Sequence, residues 1–211
     1  MTACTTGRVL ETEADLAEGA AWLRASDPRL TPALALPLPL RRRPEGFREL
    51  LWAITGQQLS TASAAACWAR IEAAGFDAPG PVAAGSKDEL RAAGFSRQKA
   101  RYAQALAAAE IDYDALGALP DAEIIAILTA VPGIGRWTAE IYLGFSLGRA
   151  DVLPAGDLAL QEAARHLFGL DDRPREAELA QIAVAWSPWR GVAARALWAY
   201  YRVVTNREGT R

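Results

Sequence analysis

The two-residue alternation of apolar and polar side chains that marks β-strands does not organise this 211-residue sequence. Apolar residues recur instead at the three-to-four-residue spacing of one helix face, over segments near 12–25, 45–57, 60–74, 86–93, 96–110, 121–130, 135–147, 157–168, 174–186 and 189–205. The chain is therefore expected to be all-α, and its alanine bias suits helix propensity. Several of these segments carry start signals. Ser86 with Glu89 has the spacing of a capping box, and Ser96 and Asp121 are placed to cap the helices that follow them. The proline-rich stretch "DPRLTPALALPLPLRRRPEG" at 27–46 loses backbone donors at each proline, and is predicted to be an extended connection.

Apolar residues make up 51% and charged residues 23%, a globular balance, and no run of eighteen apolar residues offers a membrane span. The opening "MTACTTGRVLETEADLAEG" lacks the basic start and apolar centre of a secretory signal, so a cytoplasmic location is expected. Cys4 and Cys67 are the only cysteines. They are too few for a disulfide framework, a zinc knuckle or a four-cysteine cluster, so no side-chain metal site is expected and both are read as free thiols. The net charge of −2 carries no global signature of nucleic-acid binding, and any such contact must be local. The densest basic run, Arg41 to Arg43, reads as a solvated loop, as does the helical face with Arg97, Lys99 and Arg101.

"VPGIGRWTAEIYLGFSLGRADVLPAGDLAL" at 131–160 is the most informative segment. Pro132 ends the preceding helix, and Gly133 and Gly135 bracket Ile134 in a tight turn into the next. Glycines admit positive φ and close approach of another chain, and the helix that follows offers free N–H groups and the positive end of its dipole. Such a turn suits a phosphate. Asp157 lies just past a Pro-Ala-Gly loop, where an isolated aspartate would serve as an N-cap.

"VPGIGRWTA" resembles the hairpin of the helix-hairpin-helix DNA glycosylases, and "LPAGDLAL" is similar to their aspartate-bearing loop. "ITGQQLSTASAAACWARI", "LRAAGFSRQKARYAQALA" and "WSPWRGVAARALWAYYR" are similar, in that order, to segments of 3-methyladenine DNA glycosylase II, the alkylation-repair (AlkA-like) branch. The matches cover roughly residues 45–205. The resemblance implies a two-lobed helix-hairpin-helix glycosylase fold without an N-terminal β domain. A central lobe would span 45–140, and a second lobe would combine 1–44 with 141–211. It also implies a monomer that acts on double-stranded DNA bearing alkylated bases, with no membrane partner and no cofactor beyond a monovalent cation that hairpin carbonyls could hold.

On the same resemblance, Asp157 is the catalytic residue. A fixed carboxylate can stabilise the cationic sugar left by a departing base and direct or deprotonate the attacking water. Trp137 stands where strand-cutting relatives hold a nucleophilic lysine, which implies base release without lyase chemistry. An indole there can bind a cationic alkylpurine, worth about 0.5–2 kcal/mol, and Trp198 would form another wall of the base pocket. Gln58 and Gln57 fall where a side chain enters the duplex to fill the gap left by a flipped base. Gly133, Gly135, Arg136 and the Thr138 backbone would hold phosphates. His166, the one histidine, reads as structural. Gly156 and Gly191 depart from the family pattern, the first lacking a second acid and the second a common serine. A non-catalytic damaged-DNA module, or a glycosylase for other damaged bases, remains the alternative.

Overall fold

The computed structural model describes residues 7–205. Among them the regular secondary structure is helical, apart from an isolated antiparallel bridge between Val9 and Arg149. In chain order come α1 (Glu13–Ser26), a 3₁₀ turn (Pro28–Leu30), α2 (Thr31–Leu34), α3 (Phe47–Gly56), α4 (Thr61–Ala73), α5 (Pro79–Ala84), α6 (Lys87–Ala93) and α7 (Arg97–Ala108). They are followed by α8 (Tyr113–Leu116), α9 (Asp121–Thr129), α10 (Arg136–Ile141), a π-helical turn (Tyr142–Ser146), α11 (Leu158–Phe168), α12 (Glu176–Ile182), a 3₁₀ turn (Ala183–Trp186) and α13 (Arg190–Thr205). The chain divides into two compact units. The described part of the first is Arg43–Tyr142; the second joins Gly7–Arg42 to Leu143 onward.

In the first unit α3 packs on α4 and α7, and α7 on α5 and α6. Leu50, Leu51, Ile54, Ile71, Leu90, Ala103 and Leu106 are buried between them. Cys67 belongs to this core and its thiol donates to the Gly94 carbonyl, as a small buried hydrophobe would. Cys4 lies outside the described residues. Tyr142 receives the Gly46 N–H at 2.8 Å, and burial pushes its phenol up to about 12.

In the second unit α13 packs against α1, α2 and α11. Trp186 and Trp189 are core residues, and the Trp186 indole donates to Asp27 at 3.0 Å. A Cβ on Gly19 would lie 2.6 Å from the Trp189 ring, so glycine lets α1 settle on that indole. Arg195 is buried to 4% exposure with its guanidinium 4.7 Å over the Phe145 ring. It donates to the carbonyls of Leu40, Gly144 and Gly191, so one side chain ties three segments to α13. Burial lowers its pKa to about 10, and Arg41 and Arg42 add to the lowering.

The structure corrects the helix assignments at several points. Residues 28–34 of the expected extended stretch are helical, because Pro28 and Pro32 sit in first turns, where a missing N–H costs nothing. Asp121 is the first residue of α9 and not its cap; Pro120 takes that position with an extended backbone. The segment expected at 135–147 tightens no further than Ile141 before widening into the π turn, and the one at 174–186 closes as 3₁₀. The short helices α5 and α8 lacked a readable period. The Ser86–Glu89 capping box and the Ser96 cap are both present.

Candidate functional site

In the first unit the hairpin connects α9 to α10 through Val131–Gly135. Gly133 has φ +96, and a Cβ there would run into the Tyr102 ring, so the close approach of α7 requires glycine. Gly135 differs from the expectation of positive φ. It lies at φ −86, and an added Cβ would meet nothing within 4 Å, so here glycine leaves open surface. Gly135 also provides no side-chain cap for α10.

The turn after α3 is bound to this hairpin. The Gln57 amide donates to the Gly133 carbonyl at 2.8 Å, while Lys99 on α7 donates to the carbonyls of Thr55 and Gln57, each at 2.7 Å. Burial lowers the Lys99 pKa. The expected solvated face thus applies to Arg97 and Arg101 but not to Lys99, which ties off the carboxyl end of α3. With Gln57 engaged, the turn projects Gln58, held at φ +59, and Leu59, which is 41% exposed. Leu59 was not anticipated from sequence; its only signal was an apolar side chain in an otherwise polar turn. These residues, with Ser96, Gln98, Tyr102 and the hairpin glycines, line a groove of 580 Å³.

Trp137 leaves 40% of its surface exposed on the first turn of α10 and is therefore not a core residue. Arg136 bonds Glu140 at 2.8 Å, one turn along the helix, and its guanidinium stays exposed. Thr138 is buried, so its side chain is packed and any role toward a ligand falls to its backbone.

The second unit places Asp157 and Trp198 together. Asp157 is 6% exposed and caps α11, with its Oδ1 accepting from the N–H groups of Ala159 at 2.9 Å and Leu160 at 3.1 Å. The capping reading of this aspartate therefore holds. The Trp198 indole, 4% exposed, donates to the same oxygen at 3.3 Å and packs at 5.5 Å from Phe145. Beside it lies a cavity of about 10 Å³ lined by Phe145, Arg41, Arg195, Trp198 and Arg202, room for about one water. Arg41 therefore faces a cavity, and Arg43 pairs with Glu49 at 3.3 Å, so the basic run is not simply solvated.

Both departures acquire a physical reason. A Cβ on Gly191 would lie 2.8 Å from the Ala150 carbonyl oxygen, leaving no room for serine. A Cβ on Gly156 would meet the Glu176 carboxylate at 3.2 Å, so an acid there would face a like charge. His166 is exposed on α11 with its ring nitrogen 3.1 Å from Glu162, away from any cavity described above. Among the described residues no cluster of three or more His, Cys, Asp or Glu could hold a metal, and no helix is long and apolar enough to cross a membrane.

The family model described as HhH-GPD superfamily base excision DNA repair protein matches residues 51–188, which contain the hairpin and Asp157. The chain belongs to this superfamily. It is 33% identical over 163 residues to DNA-3-methyladenine glycosylase 1 of Schizosaccharomyces pombe, covering 73% of this chain and 72% of that protein. It also resembles the solved DNA-3-methyladenine glycosidase of Bacillus halodurans, with TM-score 0.79, 31% identity and 95% of each chain covered. The S. pombe 3-methyladenine DNA glycosylase Mag1, solved in complex with abasic DNA, aligns with TM-score 0.72 and 29% identity over 93% of this chain and 100% of that one. The all-α architecture read from periodicity is the architecture of these relatives.

Proposed function

We propose that this chain is a monofunctional DNA glycosylase of base excision repair. It removes alkylated purines of the 3-methyladenine and 7-methylguanine type from double-stranded DNA by flipping the base and hydrolysing the N-glycosidic bond. The names of its relatives, and the abasic DNA held by Mag1, support the substrate class. The observation that carries the reading is Asp157, a buried carboxylate oriented by two backbone N–H groups and an indole within the family-matched region.

In this reading the bond from the sugar carbon to the base breaks with its electron pair leaving on the base. A positively charged alkylpurine is already a good leaving group. Asp157 stabilises the positive charge developing on the sugar, and takes the proton of the water that attacks it. Trp198 holds the carboxylate in place. Trp137 supplies an exposed π face for a cationic base and has no nucleophilic nitrogen, so the product is an abasic site in an unbroken strand.

Gln58, with Leu59 beside it, fills the gap left by the flipped nucleotide; Gln57 holds the turn to the hairpin. Backbone groups of Gly133, Gly135 and Thr138, helped by Arg136, hold phosphates. The enzyme works as a monomer without a redox or organic cofactor. The hairpin carbonyls suit a monovalent cation: those of Val131 and Gly133 accept one hydrogen bond each from Ile134 and Gln57, and a carbonyl oxygen has a second lone pair.

The test is release of free base from N-alkylated duplex DNA by the protein and by Asp157→Asn, with the product examined for strand breaks before alkali. Base release is expected to fall by roughly 10²–10⁴ in the variant, with duplex binding retained and strands intact. No release by the unaltered protein despite tight duplex binding would make it a damaged-DNA binding module, and release from other lesions alone would move it to another glycosylase class.

A further inference from the structure

Helices α6 and α7 enclose a cleft of 280 Å³ lined by Lys87, Asp88, Arg91, Arg97, Ala100 and Arg101. Four of these six side chains are cationic, in a chain whose net charge is −2. Asp88, the single acid in the lining, is 95% exposed and 3.8 Å from Arg91, too open to neutralise the group. Arg97 and Arg101 stand one turn apart on the same helix, a like-charge arrangement that costs stability in isolation. The cleft shares α7 with the hairpin groove, to which that helix contributes Ser96, Gln98, Lys99 and Tyr102. The two concave surfaces are thus built on different faces of one helix. Along its axis Arg97 and Arg101 are separated by about 6 Å, close to two phosphate steps of one DNA strand at about 3.4 Å each.

We propose that this cleft binds the phosphodiester backbone of the substrate duplex outside the stretch gripped by the hairpin, lengthening the DNA footprint. The inference rests on the glycosylase reading. Its chemistry is charge neutralisation without base contact, so it adds affinity and salt dependence and no lesion preference. It also gives a near-neutral protein the local positive field that its overall composition denies it.

The experiment measures binding of the full chain to alkylated duplexes of about 10 and about 25 base pairs across a salt series. It compares the unaltered protein with Arg97→Gln/Arg101→Gln and with the same two sites changed to Glu. On the long duplex the slope of log affinity against log salt is expected to fall by about 2 for the double Gln variant, near 0.9 per lost contact, and further for Glu. On the short duplex the variants should match the unaltered protein in affinity and in base release. Equal losses on both lengths, or no loss on either, would overturn the proposal; the second result is what a patch for an acidic protein partner would give. If the unaltered protein bound neither duplex, the DNA reading itself would fall, a result separate from any difference between variants.

Discussion

The two units use opposite solutions for their candidate-site residues. In the first, Gln58, Leu59, Gly135, Arg136 and Trp137 stand open to solvent on turns and helix starts. They are held from beneath by Lys99, Gln57 and Tyr102. In the second, Asp157 and Trp198 are nearly sealed, bonded to one another and surrounded by α11, α13 and Phe145. Under the proposed function, the difference follows from what each would have to do. Surfaces that meet a polyanion need accessible donors and aromatic faces, whereas a carboxylate that stabilises a transient cation gains strength where water is excluded.

This contrast can be broken at its supports. The largest effect is expected for Arg195→Met, which takes the side-chain donor from the carbonyls of Leu40 and Gly144. Denaturant unfolding should show a loss of about 3–5 kcal/mol, since each abandoned buried acceptor costs about 1–3. Gly133→Ala comes next. A side chain at φ +96 against the Tyr102 ring should cost about 2–4 kcal/mol in the same assay, and weaken duplex binding by displacing the hairpin.

Lys99→Met should cost about 1.5–3 kcal/mol and has a sharper readout. Without the tie from Lys99 through Gln57 to Gly133, base release should fall more for a lesion in a paired duplex than for the same lesion opposite a gap. Equal falls on both substrates would reduce Lys99 to a packing residue. The smallest effect belongs to Gln58→Gly. Removing a side chain from φ +59 should raise stability by about 0.5–1 kcal/mol, while release from paired DNA declines, so thermal melting and activity should move in opposite directions.

The comparison also separates what could be read from the chain alone. Apolar spacing gave the all-α class, and the capping pairs at Ser86 and Ser96 gave helix starts, because these depend on neighbours three or four residues away. The string from Val131 to Leu160 located both the hairpin and the aspartate. Periodicity failed where local rules permit two outcomes: Pro28 and Pro32 read as breaks, yet proline is also the preferred start of a turn, and α5 and α8 are too short to show a period. Distances over tens of residues belonged to the fold. Only there does Lys99 leave its solvated face for the end of α3, does one glutamine of a pair become a brace while the other projects, and does Trp198 turn inward to Asp157. A side chain's spacing is a property of the chain, but whether it supports a neighbour or faces solvent depends on what the packed helices bring beside it.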